Sequence, residues 1–295
     1  MNSNLIHTYP FLKITNSVEE YIEPEYYDKL LKPYVFGGRT DLDLFSEYIA
    51  SFDTLPKNVL ELCSGSGRIS EVAISAFHTA NFTLSDLSTR MLTHVKNKFP
   101  QTNMKFIESD AVNFLKDTTD VYDFAYTLWG FSHSVHQHAH EIGIDNTKQL
   151  LKENFTKFID ENLTSNAKLY LVHFDSMSEE QSILMRQWKR IYDTFSDIET
   201  PSPSKLMIDE ILTELDDKNK IYLTKKHLHG DPIIYKDKDE VMEIFLNFHL
   251  ETFFNDSPLL AEVIEDIEHQ IEQYKQPGGS YSIRPGCYIY EIIRL

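Results

Sequence analysis

From Asn58 to His173 the chain alternates short apolar runs with amphipathic stretches, and no other feature limits its fold as strongly. Val59 to Leu62, Phe82 to Leu84, Met104 to Ile107, Tyr122 to Leu128 and Lys168 to His173 read as strands. Helical patterns separate them: one from Ser66, one from Ser88, and one carrying Leu151, Phe155 and Phe158. Strands of three to seven residues separated by helices predict an α/β fold, with a mostly parallel sheet and helices on both faces.

The flanks break this rhythm. Residues up to Asp53 read as an N-terminal cap, with a helix around Val18 to Leu31, a turn at Phe36-Gly37-Gly38-Arg39 and a helix from Thr40. After Asp175, Leu206, Ile208, Ile211 and Leu212 fit a short helix, and Ile221 to Leu228 with Pro232 to Tyr235 suggest a strand pair around His229-Gly230-Asp231. Two amphipathic helices follow, on Val241, Ile244, Phe245 and Phe248 and on Leu260, Val263, Ile264, Ile267 and Ile271. Cys287 to Ile293 is the expected last strand. The expected organisation is therefore a cap at 1–53 and a domain at 54–295 carrying an insertion at about 176–285.

Chemistry concentrates where strands give way to helices. Val59-Leu60-Glu61-Leu62-Cys63-Ser64-Gly65-Ser66-Gly67-Arg68 sets a bend of small residues between a strand and a helix N-terminus. Gly65 and Gly67 allow a ligand close to the backbone, and the first helical N–H groups would face it. About 20 residues on, the next strand ends at Ser85-Asp86-Leu87-Ser88, placing a carboxylate where it can accept from both hydroxyls of a ribose. A third carboxylate, Asp110 in Ser109-Asp110-Ala111, follows the third strand, where an acceptor can hold the exocyclic amine of an adenine. A dinucleotide-binding dehydrogenase remains an alternative for such a bend, but it would want a third glycine where Ile69 or Ser70 stands.

These elements in order, with Asp86-Leu87-Ser88-Thr89-Arg90-Met91-Leu92 opening the second helix, resemble the class I S-adenosylmethionine-dependent methyltransferases from Val59 to His136. The resemblance implies a Rossmann-like, mostly parallel seven-stranded sheet and S-adenosyl-L-methionine as cofactor. It implies Glu61, Ser64, Gly65 and Gly67 at the methionine end, Asp86, Leu87 and Met91 around ribose and adenine, Asp110 and Ala111 at the base, and Leu128 after the fourth strand. Arg39 is the matching candidate for the methionine carboxylate. Two departures stand out: Cys63-Ser64 in place of the commoner Gly-Cys, and Thr164-Ser165-Asn166 where the family often has Pro-Gly-Gly. The region beyond Asp175 resembles, at a distance, histamine N-methyltransferase-type small-molecule enzymes.

The run Trp129-Gly130-Phe131-Ser132-His133-Ser134-Val135-His136-Gln137-His138-Ala139-His140 follows the fourth strand, on the acceptor side of this fold. Trp129, His133 and His136 are candidate substrate contacts; His133, His136 and His173, the last at the end of the fifth strand, are candidate general bases. Solvated loop histidines are the plainer reading for His138 and His140, and also for His227 and His229. Metal ligation is a third possibility for the four-histidine run, with no ligand set assigned. Tyr27, Tyr34, Phe36 and Phe131 are aromatic candidates for pocket walls, or for packing.

Composition narrows the partners. With 28 Lys and Arg against 46 Asp and Glu, the formal net charge of -18 repels phosphate backbones and anionic lipid, so neither nucleic acid nor membrane is expected. Two cysteines without a paired framework fit a reducing compartment. No apolar run approaches the ~20 residues that span a bilayer, and Met1 to Pro10 lacks signal-peptide character, so a cytoplasmic setting is the expectation. The expected function is methyl transfer to nitrogen or oxygen of a small molecule in an enclosed pocket. A protein or peptide methyltransferase and a non-catalytic cofactor-binding protein are the alternatives.

Overall fold

The computed structural model describes residues 8–9, 33–100, 103–191, 201–246 and 258–295. The helix expected at Val18 to Leu31, with Tyr27, lies outside these residues, as does Phe248. In chain order the main strands are β1 (Asn58–Leu62), β2 (Asn81–Asp86), β3 (Met104–Glu108), β4 (Tyr122–Leu128), β5 (Leu163–Phe174), β6 (Ile221–His229) and β7 (Gly286–Arg294). The helices are α1 (Asp41–Ala50), α2 (Arg68–Ala76), α3 (Thr89–Lys98), α4 (Ala111–Asp117), α5 (Phe131–Ile142), α6 (Ile144–Lys157), α7 (Glu179–Ile191), α8 (Pro203–Asp217), α9 (Lys238–Ile244) and α10 (Leu260–Ile271).

The seven strands form one sheet in the order β3-β2-β1-β4-β5-β7-β6. β1 pairs in parallel with β2 and β4, β2 with β3, and β4 with β5. β7 runs antiparallel to β5, from Cys287 opposite Phe174 to Ile293 opposite Lys168. The order reverses between β1 and β4, and at that crevice the C-terminal ends of parallel strands leave room for a ligand.

Side chains on successive strand residues point to opposite faces. Leu60, Leu62, Ala125, Leu169, Leu171, Tyr290 and Ile292 therefore join one core with Val112, Val135, Leu151, Phe155, Ile208 and Ile211 from α4, α5, α6 and α8. Phe124, Tyr126 and Tyr170 take the other face, where their rings pack around Phe45 of α1 at 4.8–6.2 Å between centroids. Helix starts follow local chemistry. Thr40 and Asp43 form a capping box on α1, and Ser88, Asp110 and Ser202 cap α3, α4 and α8, the last with Pro203 at its first position.

The chain divides into two compact units. One comprises 39–174, 201–228 and 287–295 and contains the sheet; the other comprises 1–38, 175–200 and 229–286. Within the second, α7 is tied to α10 by Gln187 to Asp266 at 2.5 Å and Arg190 to Asp266 at 3.2 Å. Tyr34 donates its hydroxyl to both oxygens of the buried Glu180 at 2.9 Å.

Two expectations require correction. The segment Ile221 to Leu228 does not pair with Pro232 to Tyr235: β6 joins the main sheet, while Ile233–Tyr235 pairs antiparallel with Tyr281–Ile283. Gly230 lies flush against Pro285, where a Cβ would come within 2.5 Å, and its N–H bonds the Pro285 carbonyl, so the backbone cannot turn back at that point. The histidine run after β4 is a helix, α5, rather than a loop, because Phe131, Val135 and Ala139 recur every fourth residue and are all buried.

Candidate active site

The bend after β1 is built by three left-handed residues, Cys63, Gly65 and Gly67, at φ of 57°, 51° and 74°. Cys63 occupies this conformation against the steric cost of its own Cβ. A Cβ on Gly65 would meet nothing within 4 Å, so its face is open. Gly67 also serves packing. A Cβ there would come within 3.0 Å of Phe99 and 3.1 Å of Val95, so the glycine lets α2 settle on α3.

Asp86, ending β2, reaches back to this bend. Its Oδ2 accepts from Gly65 N at 2.8 Å and its Oδ1 from Ser88 N at 2.9 Å, which spends two of a carboxylate's roughly four acceptor positions. Burial raises its pKa against those bonds. Glu61, deep in β1, accepts from Ser70 Oγ at 2.5 Å and Tyr126 OH at 2.9 Å, and burial pushes its carboxyl up to about 8 despite both donors. The Ser64 and Ser85 hydroxyls, both buried beside this bend, have no hydrogen-bond partner among the described residues. A buried hydroxyl without a partner costs free energy until a polar ligand or water meets it.

Asp110 follows β3 and is held from three directions: Asn113 N at 3.0 Å, His138 Nε2 at 2.9 Å and Ser134 Oγ at 2.5 Å. Burial works to raise its pKa, but these donors outweigh it and the carboxyl is held below its ordinary value. The Asp110 bond raises the pKa of His138 in turn. Met91 and Leu92 are buried in α3, Ala111 is buried at the start of α4, and Leu87 stands exposed beside Asp86.

On the other side of the crevice, Trp129 adopts φ of 71° after β4, and Gly130 presses on Cys63, whose Cβ would sit 2.5 Å from a Cβ at position 130. Trp129 Nε1 donates to Asp41 Oδ2 at 2.8 Å, and the same buried carboxylate pairs with Arg68. Sequence reasoning missed this trio, whose members lie up to 88 residues apart. Arg39, the candidate for a methionine carboxylate, is half-exposed and pairs with Glu47 at 2.9 Å. The Trp129 ring packs on Phe174 at 4.7 Å, and the His133 ring meets Phe174 edge-on at 6.4 Å.

His136 and His173 are driven toward the neutral form. Burial, then the neighbouring His173 and His133, takes His136 far below the usual imidazole range, and burial brings His173 down to about 4. The hydrogen bonds fix the His173 tautomer. A carbonyl can only accept, so Nδ1–H donates to Phe174 O at 2.7 Å, and Nε2 accepts from Ser204 Oγ at 3.0 Å. Ser204 in turn accepts from Ser202 Oγ at 3.2 Å, and Ser202 accepts from Lys205 N at 3.4 Å.

Residues 59–154 match the family model described as a methyltransferase domain. The demethylmenaquinone methyltransferases of Chlamydia trachomatis serovar L2 and Chlamydia pneumoniae are 35% and 36% identical over 63 and 73 residues, covering 21% and 25% of this chain and 28% and 31% of theirs. The chain thus spans less than a third of the length of these curated relatives. Among solved structures, the plantazolicin methyltransferase BpumL in complex with SAH aligns over 85% of this chain and 80% of its own, at 15% identity and a TM-score of 0.44. Residues 59–154 thus match a methyltransferase domain, and they lie within the seven-stranded, mostly parallel α/β sheet described above.

Proposed function

We propose that this chain moves the methyl group of S-adenosyl-L-methionine to nitrogen or oxygen of a small molecule. The observation that carries this reading is the clamp at the sheet edge: Asp86 fixes the Gly65 turn at 2.8 Å while the hydroxyls of Ser64 and Ser85 stay buried and unmatched beside it. A polar ligand that fills this bend supplies what those hydroxyls lack.

The residues present fit the cofactor. Glu61, Ser64, Gly65 and Gly67 belong to the bend at its methionine end, Asp86 and Leu87 to the ribose, and Met91, Asp110 and Ala111 to the base, with Leu128 where β4 ends. When bound, the cofactor supplies an electrophilic methyl on a sulfonium, already a good leaving group. The protein's share is alignment of the acceptor and exclusion of water. Trp129, His133 and His136 are assigned to the acceptor side. An O–H acceptor gives up its proton as the new bond forms, and His133 and His136 are the candidate groups to take it, while both nitrogens of His173 are engaged by protein atoms. His173 then serves by holding Phe174, against which Trp129 and His133 rest.

Calorimetry of the folded protein with S-adenosylmethionine and S-adenosylhomocysteine tests the reading: both should bind, and failure of both removes it. Asp86→Ala should weaken that binding by about 1–3 kcal/mol, through loss of charged-acceptor bonds and of the Gly65 tether. Unchanged affinity would move the cofactor away from this bend. A transfer screen with labelled methyl over amines, phenols and carboxylic acids then identifies the acceptor.

A further inference from the structure

Ser134 and His138 stand one turn apart on α5, and both reach Asp110. The direction of each bond is fixed. Val112 N can only donate, and it donates to Ser134 Oγ at 3.2 Å, so the serine proton goes to Asp110 Oδ2. A carboxylate can only accept, so His138 presents Nε2–H to Oδ1, which also takes Asn113 N. Both lone pairs of Oδ1 are then filled, and Oδ2 keeps one. The carboxylate side chain remains 14% accessible, at the ligand-binding edge of the sheet.

We infer that His138 is a positioning residue for base recognition: with Ser134 it sets the Asp110 carboxylate so that its last free lone pair accepts the exocyclic amine of adenine. The inference rests on the assignment of Asp110 to the base. Its chemistry is selective, because a purine bearing a C6 carbonyl in place of the amine would oppose one acceptor to another and leave both unmatched. A site that orders an acceptor toward an N–H rejects the analogue lacking it far more strongly than shape alone does.

The test compares S-adenosylhomocysteine with S-inosylhomocysteine, whose C6 carries a carbonyl, by calorimetry. The wild-type chain should favour the adenosyl compound by about a hundredfold or more. His138→Ala should lower that ratio by about tenfold, and His138→Gln, which retains an N–H donor, should restore most of it. A role in packing alone would weaken both ligands equally and leave the ratio intact, and that result in a folded variant overturns the inference. Should His138→Ala fail to fold, Ser134→Ala gives the same comparison through the other oxygen. Asp110→Ala separates the two claims. If it removes the discrimination while both α5 variants keep it, only the inference fails; if it changes nothing, the base assignment falls as well.

Discussion

Along one edge of one sheet, the ends of β1 and β2 and the turn after β3 gather carboxylates, while α5 and the end of β5 gather imidazoles. Glu61 and Asp86 are pushed up by burial, the former to about 8, and His173 is brought down to about 4 with His136 lower than its usual range as well. Burial displaces Glu61 and Asp86, and His136 and His173, toward their uncharged forms, in opposite directions on the pH scale, while Asp110 and His138, bonded to each other, shift toward their charged forms. Two members of these halves differ in how they are held. Backbone N–H groups of a glycine turn and a helix start fix Asp86, whereas a hydroxyl reaching across from α8 fixes His173.

The largest expected effect separates the halves by pH. Glu61 keeps in the folded chain a proton that the unfolded chain releases between its ordinary pKa of 4.5 and about 8, so stability falls by about 1.4 kcal/mol for each pH unit in that window. His173 behaves in the opposite sense. The unfolded imidazole binds a proton below 6.5 that the folded one refuses until about 4, so its share of stability is present above 6.5 and is lost as pH falls. Denaturant titrations over pH 4 to 9 should show Glu61→Gln gaining on wild type as pH rises, and His173→Asn gaining as pH falls. Parallel curves for the two variants would remove the contrast.

A steric change should come next. Gly130→Ala forces a Cβ within 2.5 Å of Cys63 and should cost about 1–3 kcal/mol in thermal or denaturant unfolding, together with cofactor affinity. Adding Cys63→Gly should recover part of that loss, and purely additive effects would show that the two turns do not bear on each other. The smallest effect is expected from Ser204→Ala, about 1–2 kcal/mol, since it leaves His173 Nε2 buried without its donor. Imidazole nitrogen shifts in NMR spectra should move for His173, and unchanged shifts would dismiss the bond.

The legible half is the one fixed locally. The bend from Glu61 to Gly67, the carboxylates at two strand ends and the caps Thr40, Ser88 and Ser202 can all be read within a few residues, because turn and cap chemistry is short-range. The helical nature of α5 is also readable, in the fourfold spacing of Phe131, Val135 and Ala139, but four histidines in the same stretch draw attention to ligation instead. The partners of His173 and Asp110 are not readable, since Ser204 lies 31 residues from one and His138 lies 28 from the other. The bond of Gly230 to Pro285 hides from sequence for the same reason.

The hydroxyl string behind His173 has a consequence for proton traffic. It begins at an amide of α8 that can only give and ends at a carbonyl of β5 that can only receive, so every hydrogen along it points the same way. A relay must be able to reverse its bonds after each passage, and this one has no exit at either terminus. The string therefore acts as an anchor for the His173 ring and not as a route for a hydrogen ion.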